Sequence, residues 1–235
     1  MAINAGPDVI EDGLVLCLDA ANKRSYPGTG TAWTNLRRRK NNAVLTNGPS
    51  FSTENRGAFS LDGTNDMILI ADSADEIPVT DFPLSIAVWV KTTSVKAYIF
   101  SLTAAPSSTL QEYDLYIQEN KTKSRIDGTT ANFNTTLENA STINDGKWHY
   151  VVGTSSSSSN HKTYIDGQLI STLTTDVGSM GANPFNSFVI GARIVNPNRT
   201  THYIQGNFGV CKAYNRALTA DEIRQNYEAT IGRYV

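Results

Sequence analysis

Short apolar runs that alternate with polar positions, cut by Gly, Asn, Asp and Ser, dominate the chain. Strand-like runs fall at 14–18, 58–61, 67–70, 84–90, 98–102, 113–117, 148–154, 162–165, 188–191 and 208–214. Within 84–90, Leu84, Ile86, Val88 and Val90 share one face at a period of two, as a half-buried strand requires. Asp-Gly recurs at Asp62-Gly63, Asp127-Gly128, Asp145-Gly146 and Asp166-Gly167. The last separates Tyr164-Ile165 from Leu169-Ile170 and predicts a tight hairpin. Many short strands punctuated in this way, with no helical pattern until the end, predict an all-β sandwich or barrel.

The end of the chain reads differently. Thr219 suits an N-cap, and Glu222 at the third helical position completes a capping box. Leu218 and Ile223 stand where a hydrophobic staple would place them. Ile223, Tyr227 and Ile231 follow at helical spacing, and Gly232 can end the helix. This short stripe predicts one C-terminal helix docked on the β-structure.

At 235 residues the chain fits a single large all-β domain, predicted to span 13–235 behind an N-terminal arm at 1–12. Ile3, Val9 and Ile10 are too few apolar residues to pack that arm independently, so it reads as an attachment element. The formal net charge of −2 argues against a general nucleic-acid or membrane-surface role. No apolar stretch is long enough to insert as a transmembrane helix, and the first residues do not read as a secretory signal. The two cysteines, Cys17 and Cys211, lack metal-ligand spacing and read as small buried hydrophobes. These features predict a chain made in a reducing cytoplasm.

Several segments in order carry a family resemblance: DGLVLCLDAANKRSYPGTGTAWTNL, AFSLDGTNDMILI, FPLSIAVWVKT, DGKWHYVVGT, HKTYIDGQLI, FVIGAR and GNFGVCKAYNRALTADEIRQNYEAT. Together they resemble the laminin-G-like, concanavalin-A-like jelly-roll domains. The opening, GLVLCLDAANKRSYPG, resembles more closely the variant found in virion structural proteins of tailed phages. The resemblance implies a two-sheet antiparallel jelly-roll sandwich with the short C-terminal helix. It also implies a non-enzymatic virion component: a capsid decoration, fibre or tail-associated module, made in the host cytoplasm and present in repeated copies or as a homo-oligomer. Its partners would be other capsid or tail proteins and possible host-surface glycans. The alternative is a lectin-like module attaching to a cell-surface polysaccharide.

Related jelly rolls include glycosidases, so carboxylate pairs matter. Glu112 and Asp114 in QEYDLYIQE approach the Glu-x-Asp-x-Glu strand motif of the related β-glucanases, but the third acidic position is Tyr116. A retaining glycosidase needs two carboxyls about 5 Å apart across its cleft. The expectation is therefore of no enzyme, and of a Glu112→Gln variant with nearly unchanged stability. His149, His161 and His202 lie in unrelated contexts with no nucleophile elbow nearby.

No cofactor is expected beyond a dispensable calcium ion. Many relatives hold one on the sandwich rim, and Asp62, Asn65 and Asp66 supply hard oxygen ligands at a turn. The acidic residue that many relatives carry before their last strand is missing, since the matching stretch is Phe208-Gly209-Val210. Glycan contacts call for aromatics beside amides and charges in polar loops, which picks out Tyr26, Trp33, Arg193, Asn196, Asn198 and Tyr203. Arg37, Arg38, Arg39 and Lys40 form a basic run able to dock on an acidic partner, although a solvated turn is the plainer reading.

Overall fold

The computed structural model describes residues 7–37, 42–71, 81–104, 111–127, 135–138, 142–178, 185–196 and 199–235. The strands run in chain order as β1 (Leu14–Asp19), β2 (Ala32–Trp33), β3 (Ala43–Thr46), β4 (Ser50–Ser52), β5 (Ala58–Asp62), β6 (Met67–Ala71), β7 (Leu84–Thr92), β8 (Lys96–Ala104) and β9 (Gln111–Gln118). They continue as β10 (Lys121–Asp127), β11 (Thr135–Glu138), β12 (Trp148–Ser157), β13 (Asn160–Ile165), β14 (Gln168–Leu173), β15 (Ser187–Ile190), β16 (Arg193–Asn196), β17 (Arg199–Thr201) and β18 (Gln205–Tyr214). Among the described residues one α-helix, α1 (Ala220–Ile231), follows.

Among the described residues the strands form two antiparallel eight-stranded sheets and a small β16–β17 hairpin. The first sheet runs β14-β13-β12-β7-β18-β5-β4, with β1 also on β18. The second runs β11-β10-β9-β8-β15-β6-β3-β2. One edge of β18 is shared end to end: Gln205–Phe208 pair with β5 and Val210–Tyr214 with β1. The long crossings between sheets make this the jelly-roll sandwich that the family resemblance implies, one of the two architectures, sandwich or barrel, that the alternation and turn residues predict.

The core lies between the sheets. Leu84, Ile86, Val88 and Val90 enter it from the first sheet, and Phe100, Leu102, Leu115, Ile117 and Phe188 from the second. The Asp166-Gly167 hairpin forms with positive φ at both residues, 52° and 79°, as a type I′ turn demands. Shorter strands that the sequence does not announce, β2, β3, β4, β11 and β17, are peripheral pieces held by their neighbours.

The first sheet's outer face is covered by α1. Ala87, Trp89, Trp148, Tyr150 and Tyr214 pack there with Leu218, Ile223 and Tyr234. Trp89 stacks on Tyr234 at 4.2 Å and its indole N–H donates to Thr230 Oγ1 at 2.9 Å. Thr219 and Glu222 complete the expected capping box. Gly232 does cap the helix, but in a right-handed conformation (φ −60°).

Two expectations change here. Cys211 is buried in the core, but Cys17, on the neighbouring strand, faces outward and is only partly buried. The pairing Leu18 to Cys211 and Cys17 to Lys212 puts the two thiols on opposite faces. Residues 8–12, read from the sequence as arm, lie on the domain's own surface. Ile10 N–H donates to Asn226 Oδ1 (2.8 Å), Tyr214 OH donates to Ile10 O (3.1 Å) and Gln225 Nε2 donates to Asp8 O (2.7 Å).

Candidate functional site

The second sheet's outer face carries the chemistry. Alternation in β9 sends Tyr113, Leu115 and Ile117 into the core and Glu112, Asp114 and Tyr116 outward. Register then lines up three cross-strand rows. Glu112 lies between Thr103 and Asp127, Asp114 between Ser101 and Arg125, and Tyr116 between Tyr98 and Lys123. After β15 the chain folds back over this face: Tyr98 N–H donates to His202 O (3.1 Å) and Thr103 Oγ1 donates to Ile194 O (3.3 Å). That return brings Arg193 in from β16.

Two arginines and two carboxylates interlock. The Arg193 guanidinium donates to Glu112 Oε1 at 3.0 and 2.8 Å and to Oε2 at 2.8 Å. Arg125 donates to Asp114 Oδ2 at 2.6 and 3.2 Å, also reaches Glu112 Oε2, and lies 3.7 Å from Asp127. The carboxylate side chains are at most 1% exposed, while the Arg125 and Arg193 side chains keep 10% and 18%. The guanidiniums therefore stand between the buried acids and the surface.

Burial and the Asp114 charge raise the Glu112 pKa, to about 8, against the lowering effect of Arg125 and Arg193. Burial also lifts the Asp114 carboxyl, with Arg125 opposing it. Burial disfavours the Arg125 charge, but Asp114 and Glu112 outweigh it and the net shift is upward. Removing one partner from such a buried set is costly, because the other charge is left without compensation.

Beside this network opens a pocket of about 320 Å³ lined by Lys96, Tyr98, Tyr116, Gln118, Arg125, Arg193 and His202. Tyr98 and Tyr116 stack at 4.9 Å with 12° between their planes. Arg125 lies 5.9 and 6.0 Å from the two ring centres, and Arg193 lies 5.8 Å from that of Tyr98, within cation–π range. The pocket thus combines aromatic surface with guanidinium, amide and ammonium donors, a combination that can orient a hydroxyl-rich ring.

Of the residues picked from the sequence, Arg193 alone among the described ones lines this pocket. Tyr26 and Trp33 are core residues, not loop contacts. Tyr26 is 6% and Trp33 0% exposed, both rings pack on Phe59, and the Tyr26 hydroxyl donates to Gly30 O. Tyr203 is partly buried against Val189, Ala192 and Ile194. Asn196 ends β16, with its side chain outside the described residues, as is all of Asn198. Arg37 pairs with Glu11 at 3.1 Å, while Arg38, Arg39 and Lys40 lie outside the described residues.

At the acidic turn, Asp62 Oδ1 accepts from the N–H groups of Thr64 and Asn65 and Asp66 Oδ2 accepts from that of Asp62. The two carboxylates thus cap their own backbone, as turn residues do. Backbone hydrogen bonds lower the Asp62 pKa, while burial raises that of Asp66. Among the described residues no group of three or more His, Cys, Asp and Glu side chains converges as a metal site would. Gly209 has a packing reason: a side chain there would collide with the Tyr234 hydroxyl.

The fold and this site define a lectin-type jelly roll, and the family follows. Residues 62–224 match the laminin G-type model of the concanavalin A-like lectin/glucanases superfamily, and the chain belongs to that family. A Trypanosoma rangeli sialidase in complex with sialic acid aligns with a TM-score of 0.72 at 14% identity, over 97% of this chain and 35% of the sialidase. The receptor binding domain of botulinum neurotoxin C/D mosaic serotype aligns at 0.66 with 15% identity, over 94% and 52%. The chain spans about a third of the sialidase and about half of the receptor binding domain, and at these identities the likeness is one of fold. No curated protein sequence matches.

These comparisons overturn the expectation that the chain is not an enzyme. The family takes in glucanases, and sialidases, including a mutant displaying trans-sialidase activity, share the fold. Tyr116 in the third acidic position argues against one glucanase arrangement only, and a missing residue in one motif does not exclude hydrolysis.

Proposed function

We propose that the chain is a carbohydrate-binding module whose glycan sits in the pocket between β8, β9, β10 and β16. We further propose that it serves as a structural component of a tailed-phage particle. The observation that carries the first part is the pair of stacked tyrosines, Tyr98 and Tyr116, flanked by Arg125 and Arg193 in an open pocket. Tyr98 and Tyr116 are only 6% and 7% exposed, so a pyranose ring would rest against the small part of them that the pocket leaves open while its hydroxyls accept from the guanidiniums and from Lys96. The second part draws support from the opening segment GLVLCLDAANKRSYPG and its resemblance to phage virion proteins.

The test is retention on a glycan array, with the released products followed by mass spectrometry. Lys96→Ala and Gln118→Ala remove polar rim contacts without touching the buried ion network. Each should reduce retention about three- to tenfold, as loss of one hydrogen bond does. Absence of any retained glycan, or retention indifferent to both variants and to Tyr98→Ala, would sink the proposal. Sugar release by the wild type, abolished in Glu112→Gln, would turn the same pocket into a hydrolytic one. The particle assignment is checked by proteomics of purified virions, where the chain should recur in many copies per particle.

A further inference from the structure

The helix does not fill the whole outer face of the first sheet. A cavity of about 460 Å³ lies between β1, β18 and the C-terminal segment, with Cys17, Asp19, Arg56, Lys212, Arg233 and Tyr234 among its lining. Lys212 is directly opposite Cys17 in register and is only 4% exposed. Among the described residues neither a hydrogen bond nor an ion pair reaches its ammonium. The neighbouring charges do not compensate it. Arg233 already occupies Asp19, donating to Oδ1 at 2.6 Å and to the carbonyls of Asn55 and Gly57 at 2.6 and 2.5 Å. Arg56 stands exposed at the rim, again without an ion pair among the described residues.

We propose that this cavity is a binding site for a small oxyanion, a phosphate or carboxylate group with a few carbon atoms behind it, held by the Lys212 ammonium and the Arg56 guanidinium. A buried lysine is tolerated when it is paired or neutral. Among the described residues the only carboxylate in the cavity lining, Asp19, is matched to Arg233, which leaves the site open to a second anion from outside. The cavity has the volume of a small-molecule site and exceeds a bare ion, which leaves room for the ligand's carbon skeleton. The Tyr234 hydroxyl, buried and without a hydrogen-bond partner, lines the same space as a further donor. Burial pulls the Lys212 pKa down, with Cys17 and Asp19 opposing weakly. A bound anion would reverse that pull and restore the charge.

The experiment titrates the full chain with inorganic phosphate, glycerol phosphate and succinate at constant ionic strength, reading both heat of binding and thermal midpoint. At least one of the three should bind saturably and raise the midpoint, and the ranking separates a phosphate source from a carboxylate one. Lys212→Met should weaken binding roughly ten- to hundredfold, the worth of one charge-assisted hydrogen bond. Arg56→Ser, an exposed change that leaves the fold intact, should weaken it severalfold and provides the test if Lys212→Met does not fold. Midpoints that follow only ionic strength, with no saturable heat, would overturn the site. So would binding unchanged in Arg56→Ser.

Discussion

The sandwich has two outer faces, and they solve burial in opposite ways. The first sheet presents Trp89, Trp148, Tyr150 and Tyr214 to a capped helix; Trp89, Trp148 and Tyr214 each donate to a fixed partner, while the Tyr150 hydroxyl has none. The second presents Glu112, Asp114, Arg125 and Arg193, equally sheltered but charged. Apolar burial at the first face stabilises directly. Charge burial at the second recovers little net free energy, because desolvation offsets the attraction between the ions. The second face thus sets fixed donors beside an open pocket, the geometry on which the proposed glycan recognition rests.

The largest effects should come from breaking each face at its centre. Trp89→Ala should cost about 3–5 kcal/mol by cavity formation. Arg125→Ala should cost a similar 3–5 kcal/mol, by leaving Asp114 and part of Glu112 buried without a counter-charge. Rescue separates the two. Asp114→Leu combined with Arg125→Met keeps the Glu112–Arg193 pair and should return stability to within about 1 kcal/mol of the wild type. Urea denaturation measures all three, and a double variant as unstable as Arg125→Ala would mean that the network stabilises in its own right.

Glu112→Gln comes next. The sequence alone makes this change silent, but Glu112 is 1% exposed and accepts from both arginines. Replacing one carboxyl oxygen by an amide nitrogen removes an acceptor from the arginines and should cost about 1–3 kcal/mol, read as a shift in denaturation midpoint at unchanged slope.

That reversal shows how the sequence was legible and where it stopped. The β-runs, the Asp166-Gly167 hairpin and the Thr219–Glu222 capping box are local signals, and the structure has all of them. The site is a product of register, which local pattern does not encode. Nothing in KTKSRID announces that Arg125 stands beside Asp114, or that Arg193, far along the chain, closes on Glu112. The one local signal is the alternation that puts Glu112, Asp114 and Tyr116 on a single face, and it does not by itself show which cations they meet. Tyr26 and Trp33 show the converse: their polar loops suggest surface contacts, yet the rings turn inward onto Phe59.

Thr219→Ala probes the cover of the aromatic face and should cost about 1 kcal/mol through loss of the N-cap, without altering glycan retention at the opposite face. A change in retention would show that the two faces are coupled.

The smallest effect is pH dependence from His149 at the edge of the aromatic face. Its ring nitrogens lie 2.8 Å from Asp166 and 3.1 Å from Asp145. Burial lowers its pKa, but the two carboxylates outweigh it and the net shift is upward. A raised folded-state pKa adds stability that is complete below the unfolded value near 6.5 and is lost as pH rises through the folded value. The gap in stability between wild type and His149→Gln should therefore be widest near pH 5.5 and close by about pH 9. A gap independent of pH would mean that the ring acts by packing alone.

The central claim is that the charged outer face recognises the ligand. Amide hydrogen exchange, with and without a glycan retained on the array, tests it most directly. The account predicts added protection in β8, β9, β10 and the β16–β17 return, with α1 and the strands beneath it unchanged. Protection confined to α1 and the first sheet, with β8 to β10 unaltered at saturating glycan, would contradict it.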